Sequence, residues 1–420
     1  MRPGKAGSFG ETPLPEAGAG RGGWGRLLLI SPEYPPSIGG VGDYTHHLSR
    51  RLSDRGVEVA VVCSSAVSTT DGSVHIVGGA RWDFRLLRYV EALARVLNPH
   101  VVHLQYQTAA YGMHPAVNLI PRWFSRRLPD VPVVTTMHDL REPYLFPKAG
   151  PLRRWVTRQL VRYSRTVIAS NPSDAWRLDD MGGEVTLIPI GPNIFPVQPG
   201  AITANGELAA DAWQVRTEWT VPLSAHLIGY FGFLNRTKGV EHLFRALRRL
   251  VDRGCPIVLA ILGDATGAFD ATARQYQGQL RKLAHALNLE PYLRWTGPLA
   301  PDVFSRGLSA LDCCVLPYED GGSYGHGTLI TALTHGLPVV TTQPLSQAHV
   351  FPSAPPPLVD QIHCMLVPTG DPETLASAIA RVLSERTLRQ RLRANAITLA
   401  SHFTWPAIVE KHLELYSRLR

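Results

Sequence analysis

The sequence contains no apolar run of the ~20 residues that a membrane-spanning helix needs, which predicts a protein without transmembrane helices. Its N-terminal segment lacks the charged-then-apolar order of a signal peptide, because glycine and proline dominate before Trp24. The five cysteines show no metal-ligand spacing, and Cys63, Cys313 and Cys314 lie inside apolar runs. We therefore expect reduced core thiols, no metal site and a cytoplasmic protein.

Acidic residues are fewer than basic ones, and the formal net charge is +8. Nucleic acid would suit this charge, but the sequence shows neither a helix-turn-helix pattern nor interleaved stacking aromatics. Phosphorylated small molecules or an anionic membrane surface fit the charge better. We therefore expect no nucleic-acid partner.

The chain of 420 residues is longer than one average domain, so two cores of about 200 residues each are expected. Residues 1–24 offer little to bury and are predicted to be disordered. Their segment 18–23 matches a dinucleotide fingerprint by its letters, but it precedes the first strand instead of following one, which excludes that role. Strands and helices then alternate through 25–194 and 223–402, on either side of a predicted linker at 195–222. This alternation predicts an α/β protein with two doubly wound domains.

The first predicted domain carries a glycine-rich loop directly after its first strand. Gly40 and Gly42 lie in this loop, and a helix is predicted from Asp43. Such a loop stands at the carboxyl end of the sheet, where open α/β folds bind ligands. Position 45 is threonine, whereas a nicotinamide-binding loop needs a small residue there, so a dehydrogenase is disfavoured. A plain turn between strand and helix is the alternative interpretation.

The second predicted domain contains a segment, 315–342, with the order strand, glycine-rich turn, short helix from about Thr328 and strand from Val339. Glycines in the turn let a ligand approach the main chain. The following helix would direct its free N–H groups and positive dipole end into the turn. The segment therefore predicts a site for an anion such as a phosphate, with a tight structural loop as the alternative.

Seven segments of the chain, in the same order, resemble the group-one (family four) retaining glycosyltransferases of the GT-B fold. They are Gly39-Gly-Val-Gly42, Val133-Val-Thr-Thr-Met-His138, Ile188-Pro-Ile-Gly191, Tyr230-Phe-Gly-Phe-Leu-Asn-Arg-Thr-Lys-Gly239, Ala332-Leu-Thr-His-Gly-Leu-Pro-Val-Val340, Val367-Pro-Thr-Gly-Asp-Pro372 and Phe403-Thr-Trp405 followed by Tyr416. The resemblance implies two Rossmann-like domains that face each other across a cleft. It also implies a final helix, 403–420, that crosses back to the first domain.

The resemblance further implies a hexosyltransferase-like activity of the kind used in polysaccharide biosynthesis. A nucleotide-sugar (UDP-, GDP- or similar) would serve as co-substrate, and a glycan, lipid-linked or small-molecule hydroxyl would accept the sugar with retention at the anomeric carbon. Cationic side chains and a helix terminus would stabilise the departing diphosphate, so neither a metal nor a cofactor is expected. The phosphate oxygen of the donor would accept the proton of the acceptor hydroxyl.

The resemblance assigns roles to individual residues. The predicted catalytic residues are His138, Arg236 and Lys238. The predicted donor-binding residues are Gly40, Gly42, Gly263, Asp264, Glu319, Asp320, Ser323, Gly327, Thr328 and Thr331. The predicted acceptor-binding residues, on the first domain, are Gln105, Tyr106 and Tyr111. Without the resemblance, Arg236 and Lys238 fit solvated surface cations equally well, and His138 fits an ordinary hydrogen-bonded histidine at a strand end.

The sequence departs from this family at a pair of glutamates, whose positions are occupied here by Ser323 and Thr331. Threonine can hydrogen-bond a ribose hydroxyl but offers no bidentate carboxylate. Glu319 or Asp320 could reach the donor sugar if the glycine turn is folded differently. A catalytically inactive nucleotide-sugar-binding or scaffold protein is therefore the alternative hypothesis, and a sugar-nucleotide epimerase fits the order of segments less well.

Two segments that mix basic and aromatic residues, 122–127 and 153–155, could hold the protein on anionic lipid or meet a lipid-linked acceptor. This interpretation predicts peripheral contact at the inner membrane face. An ordinary solvated surface is the alternative.

Overall fold

The computed structural model of the protein describes residues 25–37, 39–65, 68–140, 150–197, 210–263, 271–345 and 354–420. The chain divides into two compact units. The first unit comprises Met1–Ile188 and Ile408–Arg420, and the second comprises Pro189–Ala407. None of the helices in the described ranges is both long enough and apolar enough to span a membrane.

The first unit is built on an eight-stranded sheet with the order β3-β4-β2-β1-β5-β6-β7-β8. Its strands are Arg26–Ile30 (β1), Glu58–Val62 (β2), Thr69–Asp71 (β3), Val74–Val77 (β4), Val101–Tyr106 (β5), Val133–Met137 (β6), Thr166–Ala169 (β7) and Val185–Leu187 (β8). Its helices are Gly40–Asp54 (α1), Arg85–Leu97 (α2), Ile120–Arg127 (α3), Gly150–Tyr163 (α4) and Pro172–Asp180 (α5). Every strand pair is parallel except the hairpin of β3 and β4.

The second unit is built on a six-stranded, fully parallel sheet with the order β11-β10-β9-β12-β13-β14. Its strands are His226–Phe231 (β9), Ile257–Leu262 (β10), Leu293–Trp295 (β11), Cys313–Leu316 (β12), Val339–Thr342 (β13) and Met365–Val367 (β14). The helices from here to the end of the chain are Ala210–Glu218 (α6), Val240–Asp252 (α7), Ala271–Ala286 (α8), Pro301–Ser309 (α9), Gly327–Thr334 (α10), Pro372–Ser384 (α11), Arg386–Ala400 (α12) and Trp405–Ser417 (α13).

Local sequence explains the helices that cover these sheets. In α7 the apolar residues Leu243, Leu247 and Leu250 recur at helical spacing, and all three are buried against the second unit's core. Each fully buried leucine contributes roughly 2 kcal/mol of hydrophobic free energy. In α11 the side chain of Asp371 caps the helix by accepting hydrogen bonds from the amides of Glu373 and Thr374.

The order of the strands determines where each unit can hold a ligand. In the first sheet the chain passes from β1 to β2 on one side and later places β5 on the other side of β1. In the second sheet β9 is flanked in the same way by β10 and β12. At such switch points the loops leave the strand ends in opposite directions and open a crevice at the carboxyl edge of the sheet. The candidate site of each unit is therefore at the ends of β1 and β5, or of β9 and β12.

The last helix contributes to both units. The indole of Trp405 donates a hydrogen bond to the Pro192 carbonyl (2.9 Å) and covers Gly191, where a Cβ would lie only 2.6 Å from the ring. Residues from Ile408 onward belong to the first unit, and the hydroxyl of Tyr416 lies 2.6 Å from Nδ1 of His103.

The predicted linker at 195–222 contains α6, which is anchored in the second unit. Arg216 of this helix is buried and donates two hydrogen bonds to the Ala310 carbonyl, at 3.0 and 2.9 Å. Its guanidinium also lies 2.9 Å from the carboxylate of Asp312. Burial alone would raise the pKa of Asp312, but its bonds to His226, Arg216 and the Leu227 amide lower the pKa to about 2. The segment is therefore partly a structural element and not a linker throughout.

Candidate active site

The loops that follow β9 and β12 join at the switch point of the second unit. The amide of Glu319 donates a hydrogen bond to the Thr237 carbonyl (2.8 Å). Gly239 has a left-handed φ of 65° and packs on the other loop, since a Cβ there would lie 1.9 Å from the Pro317 carbonyl oxygen. Only glycine fits both this conformation and this contact. We refer to the side chains around this junction as the Lys238 cluster: Lys238, His242, Tyr318, Glu319, Asp320, His326 and Thr328.

Tyr318 lies at the centre of the Lys238 cluster. The ammonium of Lys238 is 4.9 Å from its ring centroid, and the His326 ring stacks on it at 3.8 Å. The Tyr318 hydroxyl is 2.5 Å from the Thr328 hydroxyl. A cation held over an aromatic face is favoured electrostatically and keeps its charge at a fixed place. The ring therefore positions Lys238.

Two carboxylates of the cluster face histidines. Oε1 of Glu319 lies 2.6 Å from Nε2 of His242, and Oδ1 of Asp320 lies 3.4 Å from Nε2 of His326. Burial raises the pKa of Asp320, but its interactions with His326 and the charge of Lys238 outweigh this, and the pKa lies below its ordinary value. Asp320 is thus held as a carboxylate beside the lysine, whereas Glu319 is engaged by His242.

The structure separates Arg236 from Lys238, although the sequence predicts that both are catalytic. The Arg236 guanidinium donates to the side chain of Gln279 (3.1 Å), lies 4.0 Å from Glu241 and approaches the Tyr276 ring. These partners are on α7 and α8, outside the Lys238 cluster, and the Arg236 side chain is mostly exposed. Lys238 alone of the two predicted cations belongs to the cluster.

Several predicted donor-binding residues have structural roles here. Gly263, with φ 86°, pairs with Gly297 at the end of β10, and a Cβ on it would lie 2.9 Å from Phe304. Ser323 accepts a hydrogen bond from the Gly325 amide, within its own loop. Thr331 is 3% exposed, so the position that was expected to meet a ribose hydroxyl is closed in this structure. Asp264 lies outside the described residues.

The glycines of the turn after β12 are of two kinds: some pack closely against another segment, and others have space beside them. Cβ atoms on Gly321 and Gly322 would lie 2.8 and 2.6 Å from the carbonyls of Gln343 and Thr342, so these glycines let the turn pack on the chain after β13. Among the described residues, a Cβ on Gly327, the first residue of α10, would meet only the Ile190 side chain, at 3.8 Å. Within the described part of the chain, the N-terminus of α10 is therefore the part of the turn that an anion can approach.

The glycine loop of the first unit is filled by the side chain of Glu33. Helix α1 begins at Gly40, earlier than the predicted Asp43, so that Gly40 and Gly42 lie in its first turn. A Cβ on Gly39 would lie 1.5 Å from Oε2 of Glu33, whereas Gly40 has open space around it. Burial and the charge of Asp43 raise the pKa of Glu33, against a lowering hydrogen bond from the Gly42 amide. A carboxyl group thus occupies the helix end beside the predicted donor-binding residues Gly40 and Gly42.

His138 follows β6 and is held through a row of hydrogen bonds that we call the His138 chain. Its Nε2 lies 2.9 Å from Oε1 of Gln105, and the Gln105 amide nitrogen lies 3.3 Å from Nε2 of His103. His103 also contacts the hydroxyls of Thr136 (2.7 Å) and Tyr416 (2.6 Å). Burial lowers the pKa of His138 to about 4, so the ring is neutral at ordinary pH.

The three residues predicted to bind the acceptor are all fully buried. Gln105 bridges the two histidines, the Tyr106 hydroxyl bonds Asn118 and Thr108, and the Tyr111 hydroxyl donates to the Gln105 carbonyl (2.9 Å). The prediction of direct acceptor contact is therefore corrected for this conformation. For Gln105 and Tyr106 the physical reason is that β5 is a central strand, covered on both faces. Tyr111 follows β5 and is held by the hydrogen bond of its hydroxyl to the end of that strand.

The sequence-based prediction missed residues that shape both sites. His242 was detectable as a polar residue in the first turn of the helix after Gly239, and Glu33 as the only acidic residue between β1 and the glycines. The role of His103 had no local signal, because its partners Thr136 and Tyr416 are distant in the chain. Within the described ranges no group of three or more histidine, cysteine, aspartate or glutamate side chains is arranged to hold a metal ion.

Comparison with protein families gives two matches, one in each half of the chain. Residues 39–191 match the glycosyl transferase 4-like domain, and residues 225–385 match glycosyl transferases group 1. The D-inositol 3-phosphate glycosyltransferase of Corynebacterium diphtheriae is 24% identical over 428 residues, covering 93% of this chain and 94% of that protein. The glycogen synthase of Mycobacterium tuberculosis is 26% identical over 434 residues, with 93% and 94% covered.

Solved structures share the fold over nearly the whole chain. Sucrose-phosphate synthase from Thermosynechococcus elongatus superposes with a TM-score of 0.73 at 19% identity, covering 94% of this chain and 99% of that one. Anabaena HepE in complex with UDP and glucose gives a TM-score of 0.70 at 18% identity, covering 94% and 100%. These findings confirm the predicted α/β fold class and the resemblance. With both of its halves matched by the family models, the chain belongs to the group 1 glycosyltransferases of the GT-B fold.

Proposed function

We propose that the protein transfers a sugar from a nucleotide-sugar donor, UDP- or GDP-linked or similar, to an acceptor hydroxyl with retention of anomeric configuration and without a metal ion. The observation that carries this proposal is Lys238, a cation fixed over Tyr318 beside the open N-terminus of α10 at the switch point of the second sheet. The solved neighbour HepE binds UDP and glucose, and relatives are named for sugar transfer, which supports this donor class.

In the proposed reaction the bond between the anomeric carbon and the phosphate oxygen breaks while the acceptor oxygen bonds the same face of that carbon. The departing diphosphate gains negative charge and takes the proton of the acceptor hydroxyl. Lys238 and the amide end of α10 stabilise this charge more in the transition state than in the ground state, which accelerates transfer. No metal ion is required for this step, because the fixed cation and helix terminus neutralise the phosphate charge.

The other predicted site residues have supporting roles in the proposed reaction. His138, Gly40 and Gly42 bind ligand within the first unit, where the acceptor also binds. Arg236 reaches the diphosphate after leaving Gln279, which is inexpensive because the hydrogen bond is exposed. Asp320, a carboxylate beside Lys238, hydrogen-bonds donor hydroxyls in place of the absent glutamates.

Replacing Lys238 with alanine tests the proposal. Purified protein is incubated with a panel of nucleotide-sugars, with and without carbohydrate acceptors, and release of nucleoside diphosphate is measured. Lys238→Ala is expected to lower kcat by about a hundredfold or more, the usual consequence of removing a charge-stabilising group from a transition state. Lys282→Ala removes an exposed lysine from α8 and should leave the rate unchanged. An active Lys238→Ala variant would contradict the proposal.

Ser323 and Thr331, which stand at the expected glutamate positions, favour a second candidate function: an inactive protein that binds nucleotide-sugars. The same panel separates the two hypotheses. A ligand that binds the native state raises its apparent stability, so thermal unfolding reports binding independently of turnover. Stabilisation by a nucleotide-sugar without release of product from any donor and acceptor would favour the inactive protein.

We also propose that this cytoplasmic protein contacts anionic membrane through the surface of α3 and α4. The exposed residues of this basic surface are Arg126, Arg127, Leu152, Arg154, Trp155, Arg158 and Arg162. Trp155 is 43% exposed and carries the Arg122 guanidinium 5.5 Å from its ring, so an aromatic ring lies among the cations. Arginines beside exposed apolar side chains are the composition that binds a negatively charged interface.

Sedimentation with vesicles measures this binding. Changing Arg154, Arg158 and Arg162 to glutamine should weaken affinity for phosphatidylglycerol-containing vesicles by about a hundredfold, at roughly 1 kcal/mol per arginine. A matched control changes three exposed arginines of the second unit, Arg245, Arg274 and Arg386, and should leave binding in place. Equal binding to neutral phosphatidylcholine vesicles would contradict the proposal that the basic surface binds anionic membrane.

A further inference from the structure

In the His138 chain, the side-chain oxygen and the side-chain nitrogen of Gln105 each contact a histidine. Gln105 is 0% exposed in the middle of the first sheet, and its oxygen and nitrogen reach the Nε2 atoms of His138 and His103, at 2.9 and 3.3 Å. An amide has distinct donor and acceptor ends, so its orientation decides which ring nitrogen of each neutral histidine carries the proton. Gln105 therefore links the tautomers of two histidines.

The donor and the acceptor of each hydrogen bond in the His138 chain can be assigned. Oε1 of Gln105 accepts from His138, which places the proton of that ring on Nε2 and leaves Nδ1 as a lone pair. The amide nitrogen of Gln105 donates to Nε2 of His103, which also accepts from the Thr136 hydroxyl. Nδ1 of His103 then carries the proton and donates to the Tyr416 oxygen, at 2.6 Å. Every ring nitrogen that faces another member of the chain has a defined role in this arrangement.

The orientation of the His138 ring is fixed from a second side. Tyr44 of α1 contacts the ring edge-on, with centroids 5.1 Å apart at 73°. The amide of His138 donates to the Tyr106 carbonyl (2.8 Å), which holds the backbone at the end of β6. As a whole residue, His138 is partly buried.

We infer that Gln105 is a positioning residue for His138: it holds the proton on Nε2, so that Nδ1 meets substrate as a hydrogen-bond acceptor. The inference rests on the proposed transferase function and adds a specificity to it. A sugar hydroxyl can donate to the Nδ1 lone pair, whereas a carbonyl or phosphate oxygen cannot. The group that His138 selects is thus a hydroxyl-bearing part of the donor or acceptor, and not a phosphate.

Nitrogen-15 NMR of histidine-labelled full-length protein tests the inference without substrate. The His138 signals, identified by their loss in His138→Gln, should show the Nε2–H tautomer in the wild-type protein. Gln105→Met keeps the side-chain volume but removes both hydrogen bonds, so the Nδ1–H tautomer should gain population relative to the wild-type protein. Gln105→Glu keeps an acceptor toward His138 and should retain the Nε2–H form. Gln275→Met, an exposed substitution on α8, should change neither signal.

Kinetics supply the second readout. Gln105→Met should lower kcat/KM about tenfold, the effect of one misplaced neutral hydrogen bond, and Gln105→Glu should recover most of this loss. A wild-type Nδ1–H tautomer, or an unchanged tautomer in an active Gln105→Met protein, overturns the inference. Absence of transfer by the wild-type protein with every donor overturns the proposed function instead, and the NMR result remains interpretable.

Discussion

Gly239→Ala is expected to lower the free energy of unfolding by roughly 3 kcal/mol or more and to reduce transfer sharply. Gly239 has a φ of 65°, which costs an alanine roughly 1–2 kcal/mol. The new Cβ would also lie 1.9 Å from the Pro317 carbonyl oxygen, a backbone atom that can move only with its loop. Overpacking of this kind typically costs about 1–3 kcal/mol more. Urea unfolding measures the change.

Gly254→Ala is the matched control for this substitution. Gly254 also has a left-handed φ, of 75°, but no heavy atom of the described residues lies within 4 Å of the Cβ that would be added. It should therefore show the conformational cost alone, about 1–2 kcal/mol. Because Lys238 precedes Gly239 in the chain, separation of the two loops should displace its ammonium, and a shift of ~1 Å can lower a rate about a hundredfold. Equal stability losses in the two variants would refute the proposed contact.

Acidification should destabilise the first unit between about pH 6.5 and pH 4. Burial lowers the pKa of His138 and of His412 to about 4 and that of His103 well below its ordinary value. In this window the unfolded chain binds protons that the folded chain does not, so the free energy of unfolding decreases as the pH falls. For each histidine whose pKa is lowered from 6.5 to about 4, the free energy of unfolding decreases by about 3 kcal/mol over the whole window.

In His412→Leu, the decrease in the free energy of unfolding between pH 6.5 and pH 4 should be smaller by about 3 kcal/mol, the contribution of one histidine. His412 is fully buried, Nδ1 donates to the Ile408 carbonyl, and Nε2 has no hydrogen-bond partner among the described residues. Leucine has a similar volume, so stability at pH 7 should change by less than about 1.5 kcal/mol. Denaturant unfolding at a series of pH values measures the slope, with exposed His402→Leu as the control. An unchanged slope in His412→Leu would show that His412 is not the group responsible.

The arrangement of strands and helices was largely predictable, because it depends on local patterns. The uninterrupted apolar run 257–262 is typical of a buried strand and forms β10, and apolar residues recur at helical spacing in Val240–Asp252, which forms α7. Helix α1 was predicted too short because glycine is a poor helix former, and its early start depends on tertiary contacts with Glu33. Helices α3, α5, α9 and α12 and the hairpin of β3 and β4 were not predicted. Short or charged elements give weak periodicity, and packing determines them.

The candidate site was predictable at the level of segments but less so at the level of side chains. Lys238 and the N-terminus of α10 lie together at the second sheet's switch point. The burial of Gln105 and Tyr106 depends on β5 being a central strand, and strand order is not encoded locally. The direction of Arg236 is likewise set by Gln279, which is distant in the chain.

Helix α13 has a consequence for biosynthesis. The first unit needs residues from Ile408 onward, because Tyr416 closes the buried hydrogen bonds of His103. During translation those residues leave the ribosome only after the whole second unit has been made. At roughly 5–20 residues per second, the intervening ~220 residues take about 10–40 s. The first unit must therefore wait with part of its core uncovered, and the nascent chain needs protection from aggregation until residues 408–420 have been synthesised.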